Sequence, residues 1–77
     1  MTEYEWSRNF SQILKLKIRD AHMSQKELAK YTSISEASLS KCLKGGVIPS
    51  MKMIINLSIG LTCSIDDLMA FDDYIMK

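Results

Sequence analysis

His22 is the chain's one imidazole, the side chain most often used to move protons at neutral pH. It falls in a predicted turn, and no carboxylate pair is spaced to work with it. Asp66-Asp67 and Asp72-Asp73 are sequence neighbours, so the two members of each pair point in different directions. Cys42 and Cys63 together with one histidine fall short of the four ligands of a structural zinc site. Both cysteines lie in or beside helical apolar patterns and are expected to be buried free thiols rather than a disulfide. No enzyme, metal site, cofactor or small-molecule ligand is expected. The chemistry left to the chain is that of its cations and hydroxyls.

Those cations are unevenly placed. Residues 8 to 60 carry nine Lys/Arg against three acids, whereas the last 17 residues carry four aspartates against Lys77, and Glu3 and Glu5 precede the basic stretch. A net charge of +1 thus conceals a basic middle with acidic ends. That distribution suits either a surface facing a polyanion or plain solubility.

The elements that must position these groups are helices. Residues 24 to 49 hold two short helix signatures, a glycine stop and a proline. Ser24 with Glu27 three residues on is a capping box, and Ser35 can cap the amides of Ala37 or Ser38. The spacing predicts helices over about Gln25–Tyr31 and from about Glu36 to Leu43 or Lys44, joined by a tight turn at Thr32-Ser33-Ile34. Leu28, Ala29, Ile34, Leu39, Cys42 and Leu43 point inward. Helices of about two turns are unstable alone in water. They need a shared core, and the compact unit that supplies one is a helix-turn-helix, with Gly45 closing its second helix in the left-handed conformation.

Three further helices complete the chain. The first starts at a Thr2–Glu5 capping box, and Trp6, Phe10, Leu14 and Ile18 recur along it at steps of four, widened by Ile13, Leu16 and Ala21. Ser50 caps a fourth helix whose apolar face is Met51, Ile54, Ile55, Leu57, Ser58 and Leu61. Ser64 caps a fifth, with Asp66 and Asp67 at its positive end and Ile65, Leu68, Met69 and Phe71 inward. The expectation is one all-α domain of five helices over residues 1–77, with motif core 24–44 and a tail at 70–77. No apolar run approaches the roughly 20 residues needed to span a bilayer, so no membrane association is expected.

These residues resemble the phage repressor and Cro type of helix-turn-helix, the xenobiotic response element (XRE) type, with a lambda-repressor-like fold. The resemblance rests on Ser24-Gln25-Lys26-Glu27-Leu28-Ala29, Ile34-Ser35, Leu39-Ser40, Gly45 to Pro49, Ser50, and Leu61 to Leu68, and covers about Phe10 to Met69. It departs at three places. Ser33 and His22 stand where relatives often carry glycine. Ile18 and Leu43 stand where relatives often carry a partly buried arginine and glutamate. Replacing both halves of such a pair by apolar groups is often neutral or stabilising, so Ile18 and Leu43 are expected to touch.

The resemblance implies a double-stranded DNA ligand and a role in transcription regulation, as a cytoplasmic bacterial or phage protein. It implies base reading by Glu36, Ala37, Ser38 and Lys41 at the start of the second motif helix. Phosphate contacts are implied for Gln25, Ser24, Ser35, Ser40, Lys44 and Gly46. Homodimers are how such domains read paired half-sites. The apolar tail residues Phe71, Tyr74 and Ile75 either fold back on the first helix or pack against a second copy. The rival expectation is a protein-interaction module of the same fold, an antitoxin-like partner-binding protein.

Overall fold

A computed structural model describes residues 2–69, which form α1 (Glu3–Asp20), α2 (Gln25–Thr32), α3 (Glu36–Lys44), α4 (Met51–Gly60) and α5 (Ile65–Leu68). Each helix begins at a hydroxyl cap: Thr2, Ser24, Ser35, Ser50 and Ser64 each accept from the backbone N–H three residues on. At Thr2, Ser24 and Ser64 the acid at the third helical position, Glu5, Glu27 or Asp67, reaches back to the cap's own N–H. These backbone hydrogen bonds favour the ionised acids and hold all three carboxyls below their ordinary pKa.

The helix ends are alike in another way. Every junction carries residues at positive φ: His22 (55°), Ser33 (59°), Gly45 and Gly46 (83° and 89°), and Thr62 (53°). After α1, His22 N–H donates to the Arg19 carbonyl and Met23 N–H to that of Ile18. After α4, Thr62 and Cys63 donate in the same way to Ile59 and Ser58. Both are Schellman endings, in which the left-handed residue is followed by a hydrophobe that tucks against the core. Met23 and Cys63 are those hydrophobes, each half-buried against the core. A serine cap follows each at once, so α1–α2 and α4–α5 are joined by the same four-residue device. Gly45 differs from expectation: with ψ at 169° it is an extended bend at positive φ, not a left-handed cap.

The core gathers Phe10, Ile13, Leu14, Leu28, Ala29, Leu39, Cys42, Ile54, Leu57, Leu61 and Leu68 from all five helices. Full burial of one such leucine contributes about 1.5–3 kcal/mol, and only several together offset the chain entropy of helices this short. Ile18 and Leu43 are both half-buried against this cluster. Trp6 stacks on Phe10 with ring centroids 5.2 Å apart. Cys42 and Cys63 are free; Cys42 is buried and its Sγ lies 3.8 Å from Met53 Sδ, whereas Cys63 is only half-buried. Burial pushes both thiols up from their ordinary pKa.

Three inward expectations fail. Met51, Ile55 and Ile65 are exposed, while Ile54, Leu57, Ser58 and Leu61 carry the buried face of α4. α4 is apolar nearly all round, so more than one face could have served as the buried one. The structure selects the face that meets α2 and α5. Phe71 and the tail residues Tyr74 and Ile75 lie outside the described residues.

Candidate nucleic-acid interface

Leu39 and Cys42 anchor α3 in the core, which fixes the rotation of the helix. From that anchor, helical spacing places Ala37, Lys41 and Lys44 in one outward row at steps of four and three. All three are exposed, as are Glu36 and Ser38; Ser40 is half-buried. Glu36 and Ser40 share one flank of the row and Ser38 the other. The Ser35 cap accepts from Ser38 N–H at 3.1 Å, and the two hydroxyls lie 2.9 Å apart. Ser38 is therefore held towards the start of the helix.

α2 packs against α3 and presents its N-terminus. Ser24 Oγ accepts from Glu27 N–H at 3.0 Å, and Leu28 N–H is bonded to the Ser24 carbonyl. The first amides, of Gln25 and Lys26, have no partner within the helix. The Ser24 hydroxyl, having accepted, keeps a proton to donate. Gln25 is exposed at this positive end. Lys26, Lys30, Lys41 and Lys44 are all exposed. Among the described residues one ion pair occurs, Arg19 with Asp20 at 3.9 Å, and it involves none of these lysines.

Two features that sequence reasoning did not identify brace α3 from behind. The buried Ser11 hydroxyl donates to the Leu43 carbonyl at the end of α3. The buried Ser7 hydroxyl accepts from Gly46 N–H at 2.9 Å and itself donates to the Tyr4 carbonyl at 2.8 Å. Gly46, expected among the phosphate contacts, thus has its main-chain donor taken by Ser7. The signal was present: Ser7 and Ser11 lie four apart on the face that also carries Phe10 and Leu14.

Two short capped helices share one core, the second of them with an outward basic row, and that arrangement defines a helix-turn-helix domain. The family profile described as "Helix-turn-helix" matches residues 14–68, and the chain belongs to this DNA-binding family, in line with its XRE-type resemblance. No curated protein and no solved structure matches the chain.

Proposed function

We propose that this protein is a sequence-specific double-stranded DNA-binding transcriptional regulator, acting as a repressor by placing α3 in the major groove. The observation that carries this reading is the outward row Ala37–Lys41–Lys44 beside the exposed N-terminus of α2. In that pose Lys41 meets guanine or phosphate, Glu36 accepts from a cytosine amine, and Ala37 allows close approach or meets a thymine methyl. Ser38 completes the base-reading set. Gln25, Ser24, Ser35, Ser40 and Lys44 hold phosphates on either side.

Its small reading set favours action as a homodimer on paired half-sites, with the tail residues Phe71, Tyr74 and Ile75 contributing to pairing. Nothing in the site calls for a cofactor or a catalytic step, and a DNA ligand fits a cytoplasmic protein.

Selection from random duplex oligonucleotides tests the reading. A defined operator is expected, with relaxed preference at one base position in Lys41→Ala and at another in Glu36→Ala. Failure to bind any duplex at low salt would sink it. One observation favours the rival, a protein-interaction module: Met51, Ile55 and Ile59 form an exposed apolar row along α4, with Ile59 71% exposed. Partner binding through that row would be nearly indifferent to salt, whereas duplex binding falls steeply with it.

A further inference from the structure

Arg8 lies outside the segment shared with the family, yet the fold brings it to the corner between α3 and α4. A Cβ built on Gly45 would sit 3.6 Å from Arg8 Cγ and 3.7 Å from Arg8 Cα. The aliphatic stem of Arg8 therefore runs along the bend that follows Lys44. Its guanidinium carbon stands 5.8 Å from the centre of the Tyr4 ring, one helical turn back. The flanking Ser7–Gly46 and Ser11–Leu43 hydrogen bonds fix α1 against this corner on both sides of Arg8. The cation is thus held from two directions while remaining exposed.

We propose that Arg8 and Lys44 together form a phosphodiester-binding site at the α3–α4 corner, in which the first half of α1 supplies a backbone contact from outside the helix-turn-helix. A guanidinium matches two phosphate oxygens at once, and a planar cation resting on an aromatic ring loses less freedom on binding than a mobile lysine. The depression beside it is lined by Tyr4, Glu5, Arg8, Asn9 and Gln12. Glu5 is the acid there, and its carboxylate is drawn back to the Thr2 N–H and hydroxyl, at 3.3 and 3.1 Å. The Gly46 amide is taken by Ser7, so it is not a donor at this corner. The inference rests on the reading of α3 as the groove helix.

The test is duplex affinity against salt, using fluorescence anisotropy on the selected operator and on a scrambled duplex. Arg8→Gln is expected to lower the slope of log K against log salt by about 1, a loss of roughly tenfold near 0.1 M, equally on both duplexes. Tyr4→Ala is expected to weaken binding less and to leave the slope unchanged. Circular dichroism melting confirms that both variants fold. An Arg8→Gln protein that melts like the parent and keeps the full slope overturns this site. If Lys41→Ala still alters base preference in that case, the DNA-reading proposal stands alone. If the parent binds no duplex, both proposals fall.

Discussion

Gly60 and Thr32 hold α4 and α2 together at a distance that tolerates no side chain on the glycine. A Cβ there would lie 2.5 Å from Thr32 Cγ2 and 3.4 Å from Leu28 Cδ1. The threonine cannot simply swing aside, because its hydroxyl donates to the Leu28 carbonyl at 2.7 Å within the core. Gly60 therefore sets how closely the first motif helix approaches the helix behind it.

Gly60→Ala is expected to cost about 1–3 kcal/mol, the usual range for overpacking. Thr32→Ser keeps the hydroxyl and removes the offending methyl, so the double variant is expected to recover much of that loss. Urea denaturation of the four proteins of the cycle measures it. A double variant no better than Gly60→Ala would show that the methyl is not the obstacle.

The three left-handed residues without glycine offer the reverse experiment. Left-handed backbone costs a residue bearing a Cβ about 1–2 kcal/mol, most for β-branched residues and less for histidine. Thr62→Gly is expected to raise the melting temperature most, Ser33→Gly next and His22→Gly least, with the gain reduced by the larger entropy of glycine in the unfolded chain. A fall in melting temperature with Thr62→Gly would contradict the ranking.

Glu5, Glu27 and Asp67 have folded pKa values below their unfolded ones. A depressed carboxyl contributes stability above the unfolded value and loses it as pH falls through the folded one. The melting temperature is thus expected to drop as pH falls through and below the carboxylate range. Glu27→Gln should flatten part of that drop while lowering stability at pH 7. An unchanged pH profile in Glu27→Gln would remove the ionised capping box as a source of the acid sensitivity.

Ile18 and Leu43 are expected to behave as a matched apolar pair. Leu43→Glu alone should be more destabilising than Ile18→Arg with Leu43→Glu, because the second change supplies the missing charge. A coupling of at least about 0.5 kcal/mol between the positions is the sign of contact. Strict additivity in denaturant melts would mean that the two side chains do not meet.

Much of this architecture was legible because its cues are local. A serine or threonine followed three residues on by an acid marked α1 and α2, a serine cap with aspartates in the first turn marked α5, and the starts of all five helices were read from their caps. The inward side of α3 was legible from Leu39 and Cys42, whereas its candidate contact residues came from the family resemblance. Other features needed the third dimension. α4 is apolar on several faces, so its sequence alone could not exclude Met51 and Ile55 from the core. Ser7 and Ser11 carry no local cue that their hydroxyls close the back of α3, because the partners lie far along the chain. The close approach of Thr32 to Gly60 joins two helices and has no signature in either segment alone. Thr62 broke the rule that left-handed positions go to glycine or short polar residues.

The bonds from Ser11 to Leu43 and from Ser7 to Gly46 join residues 32 and 39 positions apart. A ribosome delivers the serines long before their partners. α2 and α3 must emerge before α1 can brace α3, and the brace closes a loop that contains the whole motif. The Ser7 bond at the corner after α3 can form only once the chain has passed Gly46. α3 is therefore braced by residues that precede the whole motif, acting on its far end.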